Sequence, residues 1–170
     1  MVSSKHIITA LVADRPGVLN RVASLFRRRG FNIDSIAVCA SEIADVSRMT
    51  IVVDGATTLI EQVRKQLDKV IDVIKVTDIT GDNTITRELA LIKVKSTPQT
   101  RSEIMQIVDI FRAKIVDVAV DSLTVEVTGD EAKVTSLYNL LKGFGIKEIS
   151  RTGVIGMTRG NVLSAGEEES

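Results

Sequence analysis

Two hydrophobic periods alternate along this chain, in an order that occurs twice. Residues 6–13 (HIITALVA) are rich in β-branched side chains and read as a strand. Asp14-Arg15-Pro16-Gly17 breaks it and opens a helix, with Asp14 or Arg15 near the N-cap and Pro16 in the first turn, where a missing N–H is harmless. Val18, Val22, Leu25 and Arg29 then share one helix face, widened by Leu19 and Phe26. Arg27, Arg28 and Arg29 suit the negative end of the helix dipole, and Gly30 is a natural stop. Strands over 31–40 and 47–54 flank a polar loop at 41–46. Thr58 and Glu61 form a capping box before a helix carrying Ile60, Val63, Leu67 and Val70 on one side. A strand over 71–79 completes the order βαββαβ.

The second half runs through the same order. Residues 86–96 (TRELALIKVKS) read as a strand. A turn at Thr97-Pro98-Gln99-Thr100 follows, and Thr100 with Glu103 is another capping box. Ile104, Ile107, Val108 and Phe111 recur at helical spacing. Strands over 114–121 and 123–128 precede a helix over 130–142, which lines up Val134, Leu137, Tyr138 and Leu141. A last strand covers 146–155. The expected fold is therefore α+β, with two ferredoxin-like βαββαβ units in tandem. The first unit occupies residues 1–80 and the second 84–160, with a linker at Gly81-Asp82-Asn83 and a disordered tail over 161–170.

Right-handed crossovers place both helices of such a unit on one face of its sheet. The other face is left bare, yet Ile7 and Leu11 make the first strand apolar on that side as well. That pattern predicts burial of the bare face against another sheet or subunit.

Composition excludes several function classes. Lysines and arginines number 22 and acidic residues 22, so there is no basic excess for nucleic acid. No run nears the ~18 apolar residues of a membrane span, and the start Met-Val-Ser-Ser-Lys-His does not read as a secretory signal. Cys39 has no second cysteine to pair with, which fits a reducing compartment, so a cytoplasmic location is expected. His6, the only histidine, stands at the start of a strand and reads as an ordinary strand or surface residue rather than a base, and no Cys/His ligand set for zinc exists. Neither a P-loop nor GxGxxG occurs. With only four phenylalanines and one tyrosine, the strands lack the set of exposed sheet aromatics that stacks RNA bases.

One feature carries binding chemistry. Asp14-Arg15-Pro16-Gly17-Val18-Leu19 joins the first strand to the first helix. Gly17 permits close backbone approach, and a helix start offers unpaired N–H groups of partial positive charge. A small carboxylate suits that place, although a plain helix start with a favourable turn explains the same residues. Asn32, opening the second strand, brings an amide that donates and accepts.

These residues resemble a known family. The first unit resembles an ACT domain, a small amino-acid-binding module of metabolic regulators. ADRPGVLNRVASLFRRRGFNIDSIAV (13–38) is similar to the signature of that domain in the small regulatory subunits of acetolactate synthase. SRMTIVV (47–53), RELALIKV (87–94), IFRAKIVDV (110–118) and RTGVIGMTRG (151–160) resemble the same family, in its order. The resemblance implies a non-catalytic chain that activates a catalytic (large) subunit and confers feedback inhibition by valine in branched-chain amino acid synthesis. Thiamine diphosphate, Mg²⁺ and FAD would sit on that partner, with no cofactor and no metal on this chain. It further implies a homodimer through ACT domains, with effector at the interface and no nucleic acid or membrane partner.

Carried onto this sequence, the effector carboxylate meets backbone N–H groups of Gly17, Val18 and Leu19. Asn32 and Ile33 of the paired domain close the site, and Val18, Leu19, Ile33 and Val38 line it. Asp14 stands where family members often have Asn; its carboxylate repels the effector's carboxylate or instead holds its ammonium. A free-standing amino-acid sensor acting on another enzyme is the alternative reading of the same residues.

Overall fold

Each period-2 run folds as a strand and each 3.6-period run as a helix, in a computed structural model that describes residues 5–81 and 83–160. The first unit comprises β1 (Lys5–Ala13), α1 (Val18–Arg29), β2 (Ile33–Ala40), β3 (Val46–Asp54), α2 (Thr57–Leu67) and β4 (Val73–Asp78). The second comprises β5 (Thr84–Lys95), α3 (Arg101–Ile110), β6 (Lys114–Val118), β7 (Ser122–Gly129), α4 (Glu131–Lys142) and β8 (Ile146–Arg151), with a short β9 (Ile155–Thr158) after it. Strand orders are β2-β3-β1-β4 and β6-β7-β5-β8, and β9 pairs β5. Both are the ferredoxin-like order, so the expected α+β tandem is the observed architecture.

Alternation decides what is buried. In β1 the side chains of Ile8, Ala10 and Val12 point to the helices and meet Met49, Ile51 and Val53 of β3. Val22, Leu25 and Phe26 of α1 and Ile60, Val63 and Leu67 of α2 close this core. The second unit uses the same plan, with Ala90, Ile92 and Val94 of β5 against Leu123, Val125 and Val127 of β7. Ile104 and Val108 of α3 and Val134, Leu137 and Leu141 of α4 cover them. Each of these Val, Leu, Ile, Met and Phe side chains contributes about 1.5–3 kcal/mol through removal from water.

On the opposite face of the first sheet, Thr9 stands across from Thr50, and both are buried. Part of their cover comes from the chain itself. The segment from Ile155 groups with the first unit, whereas Thr86–Val154 form the second. Arg48 Nη2 donates to the Gly156 carbonyl at 3.2 Å. Met157 and Thr158 face Thr9, Leu11 and Thr77 across a cavity of about 500 Å³. The sequence placed 155–160 with the second domain and looked to another sheet or subunit for this cover.

Other boundaries differ from expectation for local reasons. The last strand divides into β8 and β9 around Gly153, whose φ is 79°. The strand expected over 114–121 ends at Val118, because Ala119 N–H turns back to the Ser122 carbonyl at 2.9 Å. The cap of α2 is Ala56, in extended backbone without a side-chain bond, so Thr58 and Glu61 make no capping box. Thr100 does cap α3, but its hydroxyl bonds Thr97, and it donates no reciprocal box to Glu103. The cap that does form through a side chain is Asp130, which accepts from Lys133 N–H at 2.8 Å. Asp82 of the expected linker and the expected tail, 161–170, lie outside the described residues.

Candidate functional site

The loop from β1 into α1 is built on Gly17. Its φ of 90° is left-handed, and it serves as the N-cap of α1 with no side chain capping. The cap is therefore neither Asp14 nor Arg15, and Pro16 lies outside the helix; the left-handed turn at Gly17 postpones the helix to Val18. No acidic residue occupies the first turn of α1, so its partial positive charge is not neutralised from within. Val18 N–H makes a long bond of 3.5 Å to the Arg15 carbonyl. The Gly17 and Leu19 N–H groups take no backbone partner among the described residues.

Two anchors hold this loop. Asp14 N–H donates to the Asp45 carbonyl at 2.8 Å, tying it to the β2–β3 turn. Asp72, just before β4, is the second anchor, and the sequence reading missed it. Its carboxylate is buried and accepts from Arg15 Nη2 at 2.7 Å and from Arg21 Nη1, while its carbonyl accepts from Ala13 N–H at 2.8 Å. One residue thus fixes the loop and the first helix through its carboxylate and the end of β1 through its carbonyl. A signal was present: an aspartate set between Ile71 and Val73 in an apolar strand, with two arginines near the Pro-Gly turn. Neither arginine is adjacent to it in sequence, and nothing in the spacing paired them.

The predicted site residues divide into two groups. Asp14, Gly17, Val18 and Leu19 cluster at the C-terminal end of β1. Val38 pairs with Met49, two residues from the β2 terminus on the same side of the sheet. Leu19 and Val38 are 48% and 42% exposed, so two aliphatic side chains are available to a ligand. Val18 is not available in that way: its side chain is 3% exposed and belongs to the core, leaving only its backbone. Asn32 and Ile33 lie elsewhere. Ile33 pairs with Val53, which faces His6 near the start of β1. From His6 to Ala13 the strand advances roughly 23 Å at about 3.3 Å per residue. Within one chain, Asn32 and Gly17 are therefore at opposite ends of the sheet. Asn32 is exposed there, its amide 3.5 Å from Asp34 Oδ1. Ile33 is half-buried against the core.

Between these groups runs β2, an edge strand whose strand neighbour among the described residues is β3. Its outer residues Val38, Cys39 and Ala40 are exposed.

The corresponding loop of the second unit is closed. Arg101 opens α3, and its guanidinium donates to Ser96 Oγ at 3.1 Å and to the carbonyls of Ala119 and Val120 at 2.8 and 3.0 Å. A left-handed glycine is absent from that turn, and an internal arginine spans it. Among the described residues, no group of three or more His, Cys, Asp or Glu is arranged to hold a metal, and no helix is long and apolar enough to cross a membrane.

Comparison with known proteins finds relatives along both units of the chain. Residues 8–75 match the family described as AHAS small subunit-like ACT domain, and residues 87–160 match the small subunit of acetolactate synthase. A probable acetolactate synthase small subunit of Archaeoglobus fulgidus is 55% identical over 157 residues, covering 92% of this chain and 98% of that one. The acetolactate synthase small subunit of Bacillus subtilis is 51% identical over 168 residues, covering 98% and 97%. The crystal structure of the acetolactate synthase small subunit of Thermotoga maritima superposes with a TM-score of 0.86 at 45% identity, covering 94% of this chain and 99% of that one.

Proposed function

Because the chain belongs to the small-subunit family of acetolactate synthase, we propose that it activates a separate catalytic subunit and makes it responsive to valine. In this reading thiamine diphosphate, Mg²⁺ and FAD belong to the catalytic partner. This chain contributes an effector site and a surface whose packing the effector changes.

The observation that carries the reading is the division of the site residues between the two ends of an uncovered edge strand. A second copy, related by a twofold axis, pairs its β2 antiparallel to this one and extends the sheet. Antiparallel pairing sets the start of one β2 beside the end of the other. Asn32 and Ile33 of the partner subunit then approach the loop at Gly17, which the same residues of one chain do not reach.

There the Gly17 and Leu19 N–H groups, with the dipole of α1 behind them, hold the effector carboxylate. Leu19 and Val38 receive the branched side chain, and Asp14 holds the ammonium. One methylene changes affinity in such a pocket by about 1–3 kcal/mol, which sets the margin of valine over leucine and isoleucine. An effector bound at a seam stabilises the paired arrangement that it fits better, and that difference in affinity is the coupling to the catalytic subunit.

Mixing the purified chain with a thiamine-dependent acetolactate synthase catalytic subunit tests this. Acetolactate formation rises on addition of the chain and falls again with valine. An unchanged rate under both additions rejects the proposal.

A further inference from the structure

A cleft between the helices of the first unit is lined by basic, amide and aromatic side chains. Its volume is about 220 Å³, and Arg29, Phe31, Gln62, Lys65, Gln66 and Lys69 form its wall. Gln62, Lys65 and Gln66 make a stripe along α2, Lys69 continues it past the helix end, and Arg29 closes α1 opposite. Three cations and two amides face the cleft, with no carboxylate among them. Arg27, Arg28 and Arg64 are exposed on the same two helices, outside the cleft, as are the carboxylates of Glu61 and Asp68.

Among the described residues none of these six cations makes an ion pair, although exposed lysines elsewhere do, as in Lys5–Asp34 at 3.6 Å and Lys93–Glu148 at 2.9 Å. The helix dipole favours basic residues in the last turn of each helix. It does not require that α1 and α2 turn them toward a common cleft. In a chain with equal numbers of cations and anions, such a face is a local field that attracts acidic groups.

Size decides between kinds of anion. A pocket for a nucleotide-sized ligand has roughly 300–1,000 Å³. A cleft of about 220 Å³ admits one or two side chains, and its three cations favour acidic ones. We propose that this cleft docks an acidic segment of the catalytic subunit, whose Asp or Glu side chains enter between Arg29, Lys65 and Lys69; the inference rests on the regulatory reading above.

The test titrates purified catalytic subunit with three forms of the full chain at low and high ionic strength. They are the wild type, the triple variant Arg29→Glu, Lys65→Glu, Lys69→Glu, and the neutral pair Lys65→Gln, Lys69→Gln. Melting temperature and valine binding by each form alone serve as fold controls. The triple variant is expected to bind at least about tenfold more weakly at low salt, the neutral pair to fall between, and the gap to narrow as salt rises. If the triple variant fails its fold controls, the neutral pair decides. Equal affinities of wild type and variants overturn the proposal. So does a cleft that inorganic phosphate saturates with no effect on catalytic-subunit binding. A wild-type chain that binds no catalytic subunit refutes the regulatory reading itself, and the docking site with it.

Discussion

Gly17 shows how one residue sets both conformation and chemistry. A β-carbon there meets nothing within 4 Å, so the constraint is its φ of 90° and not space. Gly17→Ala is expected to destabilise the chain by roughly 1–2 kcal/mol, the cost of a left-handed non-glycine residue, measurable by urea unfolding. Gly17→Asp adds a negative charge beside the bound carboxylate, and valine inhibition is expected to disappear. Inhibition that survives Gly17→Asp removes the site from this loop. Asp72 acts on the same loop from behind. Its arginine partners are 64% and 55% exposed, so Asp72→Asn is expected to cost no more than about 1.5–3 kcal/mol, the range for hydrogen bonds to charged groups. It is also expected to weaken valine binding through the released Arg15, as calorimetry would show. At this scale the sequence revealed Gly17, because Pro-Gly between a strand and a helix has a local meaning. It did not reveal Asp72, whose bond to Arg21 spans 51 residues. It also put the cap on Asp14 or Arg15, since their composition suits a cap and a left-handed glycine postpones the helix.

Elements follow their hydrophobic period closely, and their ends follow local bonds that the period does not report. All four helices and the strands of both units were legible from apolar spacing, including the core stripe Val134, Leu137 and Leu141 of α4. β9 was not, because Gly153 turns the chain where the apolar pattern runs on through Val154 and Ile155. The cap of α4 gives a direct check: Asp130→Ala loses the bond to Lys133 N–H and is expected to cost about 1 kcal/mol in urea unfolding. Two ion pairs make the second unit slightly less stable in acid. Hydrogen bonds and charge from Lys147 and Lys93 hold Asp121 and Glu148 below their ordinary values of 3.8 and 4.5. Their contribution is complete above those values and is lost as pH falls through the lower folded ones. Both groups are exposed, so the effect is small and screened by salt. NMR titration is expected to place both inflections below the ordinary values, and Lys93→Gln to return Glu148 toward 4.5.

The whole molecule contains the same fold twice, with the first β–α loop turned by left-handed Gly17 in the first copy and spanned by Arg101 in the second. What the sequence could not show at this scale is the cover of the first sheet by residues near the C-terminus, since an apolar bare face specifies burial without naming what buries it. The central claim is that the effector site is shared between two copies of the chain. It is tested most directly by mixing Gly17→Asp with Asn32→Ala subunits, after dissociation and re-pairing, and measuring valine binding by calorimetry. Each variant alone has only damaged sites, whereas a mixed pair contains one seam with both residues intact. Recovery of valine sites in the mixture, absent from either variant alone, is the predicted result; a mixture that binds no more valine than its two components contradicts the account.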